Sequence, residues 1–157
     1  MKLRQFLPLV LAALVAQDAI AAEVEILHPP AGKQTSLSRL TTDAGGKLYL
    51  SWVRSSGTRS SLYYASLAST EWSDATLIGA GEDWFVNWAD FPSITSFGES
   101  NLAAHYLQKS ADDTYAYDVK LIQSSDNGET WNTSFKPHTD NTNTEHGFVS
   151  KVAIDNN

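Results

Sequence analysis

Ser124-Ser125-Asp126-Asn127-Gly128-Glu129-Thr130-Trp131 is the stretch that decides the fold. It reads S-x-D-x-G-x-T-W, and each fixed position has a mechanical role in a tight link between two antiparallel strands. The Asp126 side chain is short enough to accept hydrogen bonds from N–H groups of its own turn. Asn127-Gly128 is a hairpin signal because both residue types tolerate a positive φ. Thr130 restarts the extended chain and has a hydroxyl that can tie back to the turn. Trp131 is a large apolar plate suited to wedging between strands.

Outward from this turn the chain reads as a repeat. A first unit, 35–78, runs strand (Leu37 to Leu40), turn (Asp43 to Gly46), strand (Lys47 to Val53), polar loop (Ser55 to Ser60), strand (Ser61 to Leu67), a turn ending in Trp72, and a short strand (Ala75 to Ile78). The middle strands carry period-two patterns, with Leu48, Leu50 and Trp52 on one face. A second unit, 91–136, has the same parts in the same order, with Gly98 to Asn101 as its turn and Tyr115 to Gln123 as its long third strand. Leu40, Leu48 and Trp52 fall on Ile94, Leu102 and Tyr106, each 54 residues apart, and Trp72 falls on Trp131. A third unit is expected to open at 147–157. Four short strands recurring at about 50 residues are the pattern of propeller blades. The competing all-β solution, a β-sandwich complete in itself, fits the size but does not explain the recurring tryptophan.

The eight-residue string resembles the Asp-box (BNR repeat) of the sialidase, or neuraminidase, superfamily. That resemblance covers about 35–155 and implies a six-bladed β-propeller of four-stranded antiparallel blades. About two blades and the start of a third would be present, as an N-terminal fragment of a longer protein. It implies an exo-glycosidase acting on sialic-acid-type or other glycans, with a non-catalytic propeller that binds glycan or protein as the alternative. Family chemistry needs three arginines clamping a carboxylate, a Tyr nucleophile with its Glu, and an acid–base Asp. The match at these positions is poor. Where the family places an R-I-P string the second unit has Asp90-Phe91-Pro92, and Arg39, Arg54 and Arg59 fall on no such position. The stretch alone is expected to be inactive.

The N-terminus reads as an export signal. Lys2 and Arg4 precede an apolar run from Phe6 to Val15, and Ala19-Ile20-Ala21 is a cleavage box. The run is too short to span a bilayer. The expected organisation is a signal peptide over 1–21, a lead-in over 22–34 with a strand over Glu23 to Leu27, and the partial propeller over 35–157. The product is then secreted or periplasmic, without a membrane span. The chain has 157 residues and no cysteine, which excludes disulfides and thiolate metal sites. Losing Lys2, Arg4 and Asp18 with the signal takes the formal charge from −7 to −8. Such an acidic balance argues against nucleic acid as a partner. It also disfavours an anionic ligand unless cations gather in one cleft.

Strand alternation in a four-stranded unit puts the Asp-box at one end and the second-to-third-strand and unit-to-unit connections at the other, and the resemblance implies that the site lies at that other end. The expected site therefore draws on 79–90, 108–117 and 137–147. These hold two tryptophans, several carboxylates and two histidines, the mixture of flat apolar faces and hydrogen-bonding groups that sugars require. Asp90, at the mouth of an inner strand, is the candidate general acid, or else a loop tie. Glu145 and His146 form a candidate acid–base pair. Asp83, Trp84, Trp88 and His138 are candidate substrate contacts, although Trp84 and Trp88 also suit a plug between sheets. His105 reads as a core residue. Ser124, Asp126, Gly128, Thr130 and Trp131 are structural. The histidines lack zinc spacing and the Asp pairs lack a calcium-loop pattern, so neither metal nor cofactor is expected. The partner class implied is a glycan or glycoconjugate.

Overall fold

The computed structural model describes residues 24–152, so the signal-peptide reading lies outside the described residues. Those residues contain no helix and form two antiparallel sheets. In the first, β1 (Thr35–Thr42), β2 (Leu48–Ser56) and β3 (Arg59–Ala68) pair in sequence. β4 (Glu71–Trp72) and β5 (Thr76–Gly81) then share the far edge of β3. In the second, β6 (Trp84–Phe85) and β7 (Ser93–Phe97) share one edge of β8 (Asn101–Lys109), and β9 (Tyr117–Ser124) takes the other. The expected loop over Ser55 to Ser60 is instead the end of a hairpin in which Ser56 pairs Arg59 around Gly57-Thr58.

The two sheets pack face to face. Tyr49, Leu62, Tyr64 and Ile78 from the first meet Ile94, Leu102 and Ala104 from the second, with Trp84, Ile122 and Trp131 at the margin. Each sheet has a second apolar face. Leu50, Trp52 and Ala65 pack with Trp72 and the lead-in residue Ala31, and Leu107, Tyr117 and Val119 pack with Phe85 and Val149. Trp72 and Trp131 thus lie against corresponding faces of their sheets, since Leu50 and Ala104 are 54 residues apart in equivalent strands.

Hydrogen bonding repeats with the packing. Ser73 donates its N–H to Ser66 O at 2.8 Å and accepts the Ser66 N–H on Oγ at 3.0 Å. Asn132, also the residue after a tryptophan, does the same with Gln123, at 2.9 Å through its N–H and 2.8 Å through Oδ1. A short polar side chain after the Trp therefore closes each tip by substituting for one rung of the ladder.

The second tip is the more elaborate. Asp126 Oδ1 accepts the Thr130 N–H at 2.9 Å, and Oδ2 accepts the Thr130 hydroxyl at 2.5 Å. Ser124 Oγ accepts the Gly128 N–H at 2.8 Å and donates to Asp126 Oδ1 at 2.6 Å. Asn127 and Gly128 have φ of 58° and 88°. The turn is held from outside as well, because Asn127 donates its N–H to Ser100 O at 2.8 Å and accepts Tyr64 Oη at 3.1 Å. Trp131 meets the Tyr64 ring edge-on, with centroids 6.2 Å apart.

Three expectations are corrected. Residues 24–27 form no strand: Val24 and Ile26 are 85% and 74% exposed, and alternation without a partner strand buries nothing. The strand after the Asp-box is reduced to a single bridge between Phe135 and Leu121, in a polar run that ends at Pro137. Residues 147–152 form no strand either. Phe148 has φ of 57°, which breaks the extended path, although Val149 still packs on the second sheet.

Gly128→Ala and Gly57→Ala separate conformation from contact. Both glycines have positive φ, but a Cβ at Gly128 would overlap the Tyr64 hydroxyl, whereas Gly57 has nothing within 4 Å. Gly57→Ala is expected to cost about 1–2 kcal/mol of backbone strain in urea unfolding, and Gly128→Ala clearly more. The Asp126 carboxyl is held at about 2, below its ordinary 3.8, by hydrogen bonds from Ser124 and then Thr130. A lowered folded-state value means that this contribution is complete above about pH 4 and is lost as pH falls towards about 2. The stability gap between wild type and Asp126→Asn, measured by urea melts, is therefore expected to shrink over that window.

Candidate functional site

The end of the sheets away from the Asp-box is built from the junctions β5–β6, β6–β7 and β8–β9 and from the strap 136–149. Pairing fixes this polarity. Trp84 pairs with Gln108 at one end of β8, whereas Leu102, at the other end, pairs with Ser124. Residues 79–90 are only partly a connector, because Gly79 to Gly81 finish β5 and Trp84-Phe85 are β6. The chain then leaves the sheet at 86–92 and returns as β7.

That excursion carries Trp88 and Asp90. Asn87 Oδ1 accepts the N–H groups of Ala89 at 2.8 Å and Asp90 at 2.7 Å, a local turn that lifts Trp88 into solvent at 85% exposure. Asp90 turns inward and is 3% exposed. Its Oδ2 accepts the Phe148 N–H at 2.5 Å. A Cβ on Gly147 would overlap that oxygen, so glycine is what admits the strap so close. Asp90 is thus a tie between the excursion and the strap. It also lines a cavity of about 150 Å³ with Arg39, Phe91 and Phe148.

Trp84 lies flat on Tyr106 with centroids 4.4 Å apart, and a Cβ on Gly81 would sit 2.5 Å from its Nε1. It is therefore a wedge in the layer between the sheets. Asp83 Oδ2 accepts the Gln108 amide at 2.6 Å and stays exposed beside the excursion.

Glu145 and His146 sit on the strap beside β9. Glu145 Oε1 accepts Tyr117 Oη at 2.7 Å, and the His146 N–H donates to Tyr117 O at 3.1 Å. Tyr117 is fully buried and its ring stacks on Phe85. Burial, and then Glu145, push its phenol well above the ordinary value, so it keeps the proton that it donates to Glu145. His138 and His146 stack with ring centroids 3.9 Å apart, and Asp140 bonds to both, at 2.9 Å each. The His146 imidazole is raised, first by its hydrogen bond to Asp140. Asp140 is held low, first by His146.

Sequence reasoning missed two groupings. One gathers Asp118 with His138 and His146, with one donor atom from each within 4.8 Å of the others. Asp118 is on β9 and the histidines are on the strap, so no local spacing announces them. The other lies against β7 and β8. Lys151 donates to Ser93 Oγ at 2.8 Å and to His105 Nδ1 at 2.6 Å. Burial and then Lys151 hold His105 down at about 3, leaving it neutral, as a core residue should be. Burial and then Arg39 hold Lys151 at about 7. Two basic side chains, Arg39 and Lys151, thus lie close enough to repel each other in an otherwise acidic chain.

No protein-family model, curated protein or solved structure matches the chain.

Asp90→Ala is expected to leave the Phe148 N–H without its side-chain acceptor and to cost about 1–3 kcal/mol. Amide exchange at 147–149 should quicken at least tenfold, while exchange at the Asp-box stays as in wild type.

Proposed function

We propose that this chain is part of an exported sialidase-like β-propeller that takes a glycan at the end remote from the Asp-box. One observation carries the reading. Two tandem antiparallel sheets close their tips with the same Trp-then-polar hydrogen-bond device, and both tryptophans lie on corresponding faces. In a propeller such sheets are blades, and ligands meet the end opposite the tips.

That end supports sugar recognition. Trp88 offers an open indole face, with the Asp83 carboxylate and the Gln108 amide on the neighbouring strand ends. Arg39 beside the Asp90 cavity suits an acidic sugar, and it supplies the local cationic charge that the overall composition lacks.

Between cleaving and holding a glycan, the described groups favour holding. The acid–base candidate Asp90 is engaged by Phe148, and the hydrogen-bonded tyrosine–glutamate pair, Tyr117–Glu145, has a buried phenol of raised pKa. A Tyr nucleophile needs access and activation.

The test is a titration of the signal-processed chain with sialylated and neutral oligosaccharides, followed by tryptophan fluorescence. Trp88→Ala should weaken binding by about tenfold, or 1.4 kcal/mol, with an unchanged far-UV spectrum. Release of a fluorogenic leaving group from sialosides would favour the hydrolase. Binding to no sugar, or an unaffected Trp88→Ala variant, would reject the glycan reading.

A further inference from the structure

The strap 136–149 and strand β9 bring together one carboxylate oxygen and two imidazole nitrogens, two of which hydrogen bonding leaves unused. One carboxylate, Asp140, bonds the outer nitrogens of both histidines: Oδ1 to His138 Nδ1 and Oδ2 to His146 Nε2, each at 2.9 Å. An ionised carboxylate only accepts, so these outer nitrogens carry the protons. In the neutral ring His138 Nε2 is then a lone pair, whereas His146 Nδ1 lies 3.1 Å from the Tyr117 carbonyl oxygen and gives up its proton there only when a metal takes the nitrogen. His138 Nε2 and His146 Nδ1 lie 3.5 Å and 3.6 Å from Asp118 Oδ1. Two of the three atoms, Asp118 Oδ1 and His138 Nε2, are buried without a hydrogen-bond partner. Buried unpaired acceptors are costly and call for a positive centre between them.

The spacing distinguishes a metal ion from a shared proton. A charge-assisted N–H···O bond would draw the atoms to about 2.7–2.9 Å. Bonds of about 2.0–2.2 Å around a tetrahedral ion set neighbouring ligand atoms about 3.3–3.5 Å apart. We propose that Asp118 Oδ1, His138 Nε2 and His146 Nδ1 form a site for a divalent transition metal of the zinc class, with Asp140 as the outer carboxylate orienting both imidazoles. Two imidazoles and one carboxylate suit such an ion, and histidine ligands ordinarily give their second nitrogen to a carboxylate. The Tyr117 carbonyl, 3.1 Å from His146 Nδ1, loses nothing essential when the metal takes that nitrogen, because it already accepts the His146 backbone N–H. Three protein ligands leave a fourth position for water.

The rings are stacked, and a metal cannot lie in the planes of two parallel rings at once. Loading the site therefore turns one imidazole about its Cβ–Cγ bond and unstacks the pair. The bound ion would pin the strap to β9 beside Tyr117. This inference does not rest on the glycan reading.

The test is isothermal titration of the chelator-treated full chain with zinc chloride at neutral pH, alongside thermal unfolding and histidine-ring NMR. The expected result is one zinc per chain at micromolar affinity or tighter, a raised melting temperature, and separated ring resonances for His138 and His146. Asp118→Asn should weaken binding at least tenfold. Asp140→Asn, at a half-exposed position, should weaken it about 10–100-fold with an unchanged far-UV spectrum. His28→Ala, at an exposed position outside the cluster, should leave it unchanged. No zinc binding by the wild type, or equal affinity in wild type and Asp140→Asn, would overturn the proposal.

Discussion

The structure depends on a carboxylate folded back onto its own turn. Asp126 binds Thr130 through both backbone and hydroxyl, and Ser124 closes the ring by joining Asp126 to the Gly128 N–H. This sets the direction in which the chain leaves β9. Trp131 then points into the layer between the sheets and not into solvent. The turn is also anchored to the other sheet through Tyr64, so local geometry and sheet-on-sheet packing reinforce each other. Consistency between a turn's own chemistry and the packing around it is what makes a fold unique.

The opposite end follows a different logic. Its connections are polar, and each is held by a hydrogen bond that satisfies a backbone N–H: the Asn87 side chain within the excursion, the Asp83 backbone carbonyl on Lys109, and the Asp90 side chain on the strap. These bonds leave one aromatic, Trp88, fully presented and remove another, Trp84, into the packing. Two tryptophans four residues apart thus acquire opposite roles. The choice is made by whether the chain at that point pairs with β8, as Trp84 does, or leaves it. The basic pair Arg39 and Lys151 and the histidine cluster lie at different places in the second sheet's surroundings, which gives an acidic chain locally distinct electrostatics.

Much of the all-β character was legible in the sequence because it is written in short-range terms. The positive-φ pair Asn127-Gly128, the period-two apolar runs and the tryptophan spacing each depend on a few consecutive residues. The pairing of β2 with β3 and of β8 with β9 follows from hairpin proximity. Strand ends were read less well. Ser55 to Ser60 is polar in composition, yet it stays in the ladder because a two-residue turn suffices there. Residues 147–152 are apolar enough for a strand, but Phe148 adopts a positive φ in following Asp90.

By itself the sequence determined the hairpin chemistry, the repeat and the face each apolar residue seeks, because backbone preference and side-chain alternation act over a few residues. Only the tertiary structure decided the fate of the polar residues. Asp90 became a buried tie, Tyr117 and Glu145 a closed pair, and Asp118 a neighbour of His138 and His146. Those outcomes depend on segments 20 to 58 residues apart being brought within hydrogen-bonding or metal-ligand distance. No local pattern encodes such a meeting. It arises when the strap after the Asp-box docks against β9, and that docking is set by the packing of Val149 and the close approach at Gly147.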